Sequence, residues 1–293
     1  MTRSADPSFA ADFKLSITKA LADQLAEKLV PLKPHPLTTE AISSLERRPG
    51  VYLLLYKGHR VYVGKAQQSL PKRLRNHWNK LRGRDKLAIE DMTFVCLYVD
   101  EDLDAAAPEK LLIKRYREQG GIDGVPWNTN GFGNKDPGRR RDMSEVEANH
   151  FDALYPVRLT FDGLRLTVGP TTVGKLLVEI KTQLPYNLRF EKKDPRALKD
   201  YQIKIEVPDK QLRAERAIGL VVRALPEGWQ ATALPGYLIL YREQVEYPSA
   251  LRWWRRDGDE VVVTEHVARL APSAEIRELD EDESGSRDGE DDE

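Results

Sequence analysis

Residues 50–64 read GVYLLLYKGHRVYVG, and this stretch decides the fold of the first half of the chain. Two apolar runs rich in β-branched and aromatic residues, 51–56 and 60–63, flank Lys57-Gly58-His59 and predict a β-hairpin. A three-residue loop would pair position 54 with 62 and position 52 with 64, which places Tyr52 and Tyr62 on one face. A two-residue loop would place the two tyrosines on opposite faces.

Hydrophobic periodicity predicts the elements around this hairpin. In the first half these are helices over 16–32, 39–46, 72–81 and 109–119, the last opened by Pro108, and a central strand over 93–99. A Gly- and Pro-rich stretch, 120–138, is expected to lack regular structure. Beyond it the sequence predicts strands over 157–161, 164–168 and 201–207, helices over 173–183 and 210–224, and a hairpin within 228–241.

The chain of 293 residues is long enough for about two domains with their own cores. The predicted fold class is α+β, a small antiparallel sheet flanked by helices followed by a second α+β domain. The expected segments are a helical arm at 1–48, a first domain at 49–155, a domain of unknown role at 156–277 and a disordered acidic tail at 278–293.

Composition excludes several classes of protein. The single cysteine, Cys96, rules out an intrachain disulfide framework and a Cys-rich zinc site, and its place in a predicted strand makes it an expected core residue. The sequence has neither an apolar run of about 18 residues nor the apolar segment of a signal peptide. The expected location is therefore the cytoplasm, without membrane attachment.

Charge is unevenly distributed along the chain, although the formal net charge is only -1. Residues 57–87 contain ten Lys or Arg against one acidic residue, whereas residues 278–293 contain ten acidic residues against one Arg. Basic surfaces commonly bind phosphates, although many are simply solvated. The tail would either shield a basic cleft until DNA displaces it or keep the protein soluble, and composition favours the second function.

Two helices carry candidate catalytic residues. Arg73 and His77 lie four positions apart, hence on one helix face, where a phosphate between them would offset the cost of placing a guanidinium beside an imidazole. The alternative is that His77 packs beside Trp78 and the basic residues are solvated. Glu109 lies in the first turn of its helix, where a carboxylate either compensates the helix dipole or serves as the single protein ligand of a Mg²⁺ ion. In isolation the dipole interpretation is favoured.

The order of these motifs resembles the GIY-YIG nuclease superfamily. Gly50-Val51-Tyr52 and Tyr62-Val63-Gly64 match the two halves of its name motif, with Val in place of Ile in each. They are followed by Arg73 with His77, then Glu109, then Asn128, in the order that the superfamily has. The resemblance implies a compact α/β domain that hydrolyses phosphodiester bonds with one divalent metal ion.

The resemblance also implies a role for each candidate residue. Glu109 would bind Mg²⁺, and Arg73 would neutralise the charge that grows at phosphorus. Tyr52 would orient and deprotonate the attacking water, provided that Lys65, His77 or the metal ion lowers its pKa, and otherwise His77 would take the proton. Two more residues would support the site: Tyr62 would position His77 or the phosphate, and Asn128 would brace it.

Within the superfamily, residues 14–155 most resemble type II restriction endonucleases that cut the palindrome CCGCGG. The features are Tyr62-Val63-Gly64-Lys65-Ala66, the stretch WNTNGFGNKDPG at 127–138 and the three arginines after it. This implies double-stranded DNA as substrate, a two-fold symmetric homodimer and a methyltransferase encoded nearby. The candidate DNA-binding residues are Lys65, Lys72, Arg75, Arg139, Arg140 and Arg141, of which the last three would contact either guanine edges or phosphates.

Two other functions remain open. Another nuclease of the superfamily, of the repair or mobile-element type, would be expected to carry a helix-hairpin-helix or zinc module, and the sequence shows neither. A catalytically inactive DNA-binding protein would be expected to lack Arg73 or Glu109, and both are present. These observations favour an active restriction enzyme.

Overall fold

The computed structural model describes residues 17–99, 108–133 and 138–273. They divide into two units. The first unit contains residues 17–75, 90–99 and 108–126, and the second contains 76–89, 127–133 and 138–273. The acidic tail at 278–293, residue 16 of the first predicted helix and residues 134–137 of the Gly-rich stretch lie outside the described residues.

The first unit contains the predicted antiparallel sheet, in the order β1-β4-β2-β3. Long apolar runs form its three main strands, and β1 covers the edge of β4 over two residues only. The strands are β1 (His35–Pro36), β2 (Gly50–Tyr56), β3 (His59–Ala66) and β4 (Met92–Tyr98). The strand predicted to be central, β4, lies inside the sheet between β1 and β2, and β2 lies between β4 and β3.

The hairpin has the predicted register but a different turn. Tyr56 pairs with His59, so the loop consists of two residues, Lys57 and Gly58, both with positive φ. Such a pair of backbone conformations is typical of a tight turn that matches the twist of the strands. The register then shifts by one residue after Leu55 pairs with Arg60, because a bulge inserts one extra residue on β3. The predicted three-residue loop was wrong, and the bulge restores the predicted pairing of positions 54 with 62 and 52 with 64.

Two helices cover one face of the sheet. Leu25, Leu29 and Leu112 pack with Val51 and Val63 in one hydrophobic core, which covers one face with the first and fourth helices. The helices of the first half are α1 (Ile17–Leu29), α2 (Thr39–Ser43), α3 (Leu70–Arg82) and α4 (Pro108–Gly120). Helix α2 is shorter than predicted, and α4 begins at the predicted proline. The Gly-rich stretch is more regular than predicted, with short 3₁₀ turns at Gly121–Gly124 and Pro126–Asn128, and a further 3₁₀ turn, Arg139–Arg141, follows it.

The second unit is built on a five-stranded sheet in the order β12-β11-β9-β10-β7. Two helices, α6 and α8, provide Leu176, Leu177, Ile218 and Val221 to a core that also contains Trp229. The remaining helices are α5 (Phe151–Leu154), α6 (Val173–Gln183), α7 (Pro195–Asp200) and α8 (Ala214–Ala224). The remaining strands are β5 (Val146–Glu147), β6 (Gly169–Thr172), β7 (Leu188–Phe190), β8 (Lys204–Val207), β9 (Gln230–Ala233), β10 (Leu238–Tyr241), β11 (Arg252–Asp257), β12 (Glu260–Glu265) and β13 (Leu270–Ala271).

Two predicted strands of this unit are not strands. Residues 157–161 and 164–168 have no ladder, apart from one bridge between Arg84 and Val157. Their alternating apolar residues nevertheless enter the core, where Leu164 and Leu166 are buried. The alternation thus reports one-sided burial of an extended segment rather than pairing in a sheet. The helix over 173–183 and the hairpin between β9 and β10 are confirmed. Within the described residues, no helix is long and apolar enough to cross a bilayer.

Candidate active site

Tyr52 and Tyr62 form the floor of the candidate site on neighbouring strands of the first unit. The ring centroids lie 6.2 Å apart, because Tyr62 pairs with Leu54 and residues 52 and 54 share a face of β2. Both tyrosines are buried, and Tyr52 is fully so. The arrangement follows from the hairpin register, as the sequence predicted.

The two glycines of the name motif are required by close approach rather than by an unusual backbone conformation. Gly64 pairs with Tyr52, and an added Cβ at Gly64 would overlap the phenol ring of that tyrosine. At the start of β2, a Cβ at Gly50 would overlap the carbonyl oxygen of Leu97 and press on Leu70. Gly64 therefore leaves room for the Tyr52 ring, and Gly50 lets helix α3 and strand β4 approach the start of β2.

Arg73 reaches this floor from the first half of helix α3. Its Nε donates a hydrogen bond of 3.3 Å to the Tyr52 hydroxyl group. The guanidinium group is half-buried, so it remains accessible to a ligand at the surface. Arg73 thus places a positive charge beside the hydroxyl group of Tyr52.

Glu109 lies in the first turn of helix α4, as predicted, and is half-buried. Its carboxylate raises the pKa of Tyr52, so it acts on the same phenol as Arg73 and Tyr62. No group of three or more His, Cys, Asp or Glu residues in the described ranges is placed to hold a metal ion. A single carboxylate fits Mg²⁺, since this ion commonly keeps most of its waters and takes further oxygens from a substrate phosphate.

The environment of Tyr52 holds its phenol in the protonated form. Burial and the neighbouring Tyr62 raise its pKa well above the usual value, and they outweigh the opposing effect of Arg73. Lys65 does not supply the expected second cation at this point. It pairs with Val51 and so lies on the face of the sheet opposite to Tyr52. A phenol in this environment is a poor base at neutral pH unless a further positive charge arrives.

The two other predicted DNA-binding residues of this unit lie on helix α3. Lys72 and Arg75 are both exposed. Arg75 donates a hydrogen bond of 2.8 Å to the Ser43 hydroxyl group of helix α2. Both side chains are therefore accessible to a phosphate backbone, with Arg75 partly fixed by its neighbour.

His77 belongs to the same continuous helix α3, but to its part in the second unit. It is 6% exposed and stacks on Phe132, with ring centroids 5.0 Å apart and planes inclined by 21°. The stack is an aromatic contact that neither interpretation of His77 from the sequence included. Lys80, one turn on, donates a hydrogen bond to the Phe132 carbonyl oxygen and lies over its ring. The sequence placed Phe132 in a Gly-rich loop and gave no sign of this contact.

Asn128 closes the 3₁₀ turn that follows Pro126 and is half-buried. The neighbouring Trp127 is buried against Phe132 and Phe151, with ring centroids 5.0 and 5.1 Å away. This aromatic cluster fixes the backbone on which Asn128 stands. Because Phe132 also contacts His77, one cluster of the second unit supports both predicted residues.

The three consecutive arginines have different surroundings. Arg139 is exposed and forms an ion pair of 2.9 Å with Glu243. Arg141 is half-buried and pairs with Asp152 at 3.1 Å. Arg140 is exposed, and none of the described residues makes an ion pair or hydrogen bond with its guanidinium group. Only Arg140 therefore presents an uncommitted cation, although the sequence treats the three alike.

A buried ionic network beside these arginines was missed by sequence reasoning. Arg84, 3% exposed, pairs with Asp152 at 2.9 Å and donates to the carbonyl oxygen of Tyr155 at 3.2 Å. Burial tends to raise the pKa of Asp152, but Arg84 and the cations around it lower it. Burial also lowers the pKa of the adjacent His150 to about 4, so this ring is neutral near pH 7. The carboxylate of Asp152 is therefore paired with two arginines of its own unit.

The match with a known family covers the first unit's site. Residues 48–122 match the model of the GIY-YIG catalytic domain. The matched region contains both tyrosines, Arg73, His77 and Glu109, whereas Asn128 lies beyond it. None of the curated proteins matches the chain. The GIY-YIG domain supports a nuclease that acts on the phosphodiester bonds of DNA, at a coarser level than the restriction type that the sequence suggested.

Proposed function

We propose that this protein is a metal-dependent endonuclease that cleaves double-stranded DNA at a short, GC-rich palindrome. The observation that carries the proposal is the convergence of Arg73, Tyr62 and Glu109 on the Tyr52 phenol within the region that matches the GIY-YIG catalytic domain. A fixed cation, a carboxylate and hydroxyl groups are what hydrolysis of a phosphodiester requires.

Each residue has a separate role in the proposed reaction. Glu109 would hold Mg²⁺, which supplies Lewis-acid stabilisation of the leaving oxygen when it is bound. Arg73 would bind the non-bridging oxygens, where charge grows in the transition state. Tyr52 and Tyr62 would orient the attacking water and the phosphate through their hydroxyl groups, and Asn128 would brace the site.

Two residues are candidates for the general base, Tyr52 and His77. The raised pKa of Tyr52 means that its phenol keeps its proton at neutral pH in the protein alone. Tyr52 can act as the base only if its pKa falls in the loaded complex, whereas His77 offers an imidazole nitrogen as the alternative proton acceptor. The pH dependence of cleavage by Tyr52→Phe and His77→Ala distinguishes them.

Specific recognition of the palindrome is proposed to involve Arg140. A guanidinium group recognises guanine through N7 and O6 or binds phosphate, and Arg140 has no partner that occupies it among the described residues. Arg139 and Arg141 would fix the turn that presents it. A palindromic site further implies a two-fold symmetric homodimer, and a protecting methyltransferase encoded nearby.

The test is cleavage of unmethylated plasmid and phage DNA by purified protein with Mg²⁺, with Glu109→Ala as the matched control. Discrete fragments from the wild type alone support the proposal, and the sequence at their ends gives the recognition site. Nicked circles or a smear would replace it with a repair or mobile-element nuclease. DNA binding without cleavage would replace it with an inactive DNA-binding protein.

A further inference from the structure

A groove in the second unit lies between helix α8 and the outer strands β11 and β12. Its volume is about 390 Å³, and its floor is apolar, formed by Leu220, Trp254, Val261 and Val263. None of the residues assigned to DNA cleavage lines it, so the groove is not part of the candidate active site.

The rim of the groove carries positive charge. Arg252 is already neutralised, since it pairs with Glu215 at 2.7 Å and with Glu265 on β12. Arg216 and Arg223 are exposed, seven positions apart and hence two turns along one face of α8. No described residue forms an ion pair with either of them. An occupant with acidic groups would complete this rim.

The outer side of the groove is incompletely covered. Strand β12 is the edge of the five-stranded sheet, so its outer side has no partner strand within the described part of the chain. Val262 and Val263 are 45% and 48% exposed, on opposite faces of the strand. Exposed apolar edge strands are generally covered or blunted, because they otherwise pair with other chains.

The C-terminal segment has the composition that the groove requires. Residues 274–293 begin with two apolar residues three positions apart, Ile276 and Leu279, and continue into the acidic run 278–293. A short apolar pair followed by carboxylates matches an apolar floor with an arginine rim. A nucleic-acid backbone would match only the rim.

A second copy of the chain fits the edge strand less well. In a symmetric antiparallel pairing of two β12 strands about Val262 and Val263, Glu260 of one copy would stand opposite Glu265 of the other. Like charges directly opposite on paired strands are destabilising. The C-terminal segment has no such conflict.

The segment is long enough to reach the groove. Arg269 donates to the Pro248 carbonyl oxygen at 2.9 Å and accepts from the Ser249 hydroxyl at 3.2 Å. Ser249 is three residues from Arg252 of the groove, at most about 10 Å along an extended chain. Leu270 and Ala271 are held in β13, so the segment that can turn back begins after Ala271, and Ile276 lies five residues beyond it, or up to about 17 Å. The chain can therefore return from β13 to the groove.

We propose that residues 274–293 bind back on the groove between α8 and β12, with Ile276 and Leu279 on its floor and the following carboxylates at Arg216 and Arg223. The proposal does not depend on the nuclease function. It gives the acidic tail a binding site on its own chain, where the sequence suggested either shielding of a catalytic cleft or solubility.

The test is amide hydrogen exchange of the full chain, read in the peptides that cover α8 and β12. Two variants remove the charge contact from either side: Arg216→Ala with Arg223→Ala, and conversion of the acidic residues 278–283 to their amides. We expect exchange in β12 to become about three- to tenfold faster in both, the effect of losing two exposed ion pairs. Raising NaCl from about 0.05 to about 0.5 M should speed exchange in the wild type and leave the variants unchanged.

Matched controls separate docking from a general charge effect. Lys175→Ala with Lys199→Ala removes two exposed positive charges from α6 and α7 and should leave exchange in β12 as in the wild type. Equal exchange in all variants at low salt overturns the proposal. A loss of DNA affinity in the arginine variant, without a change of exchange in the free protein, would make the groove a DNA-binding surface instead.

Discussion

The Nε atom of Arg73 donates a hydrogen bond of 3.3 Å to the hydroxyl group of Tyr52. This bond connects a helix to the central strand of the first sheet and sets the direction of the guanidinium group. A guanidinium group oriented through its Nε can present its two terminal nitrogens to an anion in a planar, two-pronged geometry. The bond to Tyr52 therefore sets the orientation in which Arg73 would meet a phosphate.

Replacement of Arg73 tests this geometry. We expect Arg73→Lys to lower kcat for DNA cleavage by about 10²- to 10³-fold, because an ammonium group keeps the charge but loses the fork. The melting temperature should change little, since the guanidinium is half-buried. Cleavage assays with Arg213→Lys, an exposed arginine of the second unit that has no assigned role, provide the control. Near-normal kcat in Arg73→Lys would show that charge alone is enough.

The raised pKa of Tyr52 predicts a dependence of stability on pH. Since the folded protein holds the phenolic proton more tightly than the unfolded chain, this contribution is fully present below pH 10. It is lost as pH rises above about 10, the ordinary tyrosine pKa, towards the folded value. We expect Tyr52→Phe to lose less free energy of unfolding than the wild type between pH 9 and about 11.

Tyr56→Phe, on the same face of β2 but less buried, is the control for that comparison. Denaturant unfolding curves at each pH measure the difference. Parallel losses in the wild type and Tyr52→Phe would show that Tyr52 does not titrate abnormally.

The close contact of Gly64 with the Tyr52 ring predicts that even one added methyl group at position 64 is disruptive. Gly64→Ala should force the Tyr52 ring from its place, with a cost of about 1–3 kcal/mol in the free energy of unfolding and loss of cleavage. Gly120→Ala is the matched control, because its added Cβ would meet no atom within 4 Å and its φ is not positive. Thermal unfolding and cleavage assays are the measurements. An active, stable Gly64→Ala protein would contradict the packing of Tyr52 on this glycine.

The stack of His77 on Phe132 predicts a positioning role for the aromatic ring. We expect Phe132→Leu to lower kcat for cleavage while leaving KM nearly unchanged, because the imidazole loses its fixed orientation. Phe161→Leu also removes a buried ring from the second unit and should lower stability without this change in kcat. A comparable loss of kcat in both variants would assign the effect of Phe132 to folding alone.

The three arginines predict separate consequences for binding and stability. Arg140→Ala should weaken DNA binding and reduce the slope of log affinity against log salt by about 1, with an unchanged melting temperature. Arg141→Ala should lower the free energy of unfolding by about 1–3 kcal/mol, since it leaves Asp152 with fewer partners. Binding titrations over a range of salt concentrations measure the first effect. Normal DNA affinity of Arg140→Ala would remove this residue from the interface.

The sequence predicted the first sheet well because its strands are long and apolar. It also placed Tyr52 and Tyr62 on one face of the hairpin and Arg73 and Glu109 on helices, because each placement follows from a local pattern. Their roles in catalysis stay a prediction. It could not predict the Phe132 stack or the pairing of Arg84 with Asp152, because these contacts join residues more than fifty positions apart. The two strands predicted within residues 157–168 were wrong for a different reason. Alternating apolar residues indicate burial on one side of an extended segment and carry no information about a partner strand.

The bulge in β3 offsets the effect of the two-residue turn on the direction of the β3 side chains. The turn alone would place Tyr62 on the face opposite to Tyr52, and the extra residue of the bulge returns Tyr62 to the same face. Changes that keep the bulge and alter the turn at Lys57-Gly58 by an even number of residues therefore leave the tyrosine pair in place. The exposed turn is therefore a position where a label or a peptide can be inserted without displacing Tyr52 and Tyr62.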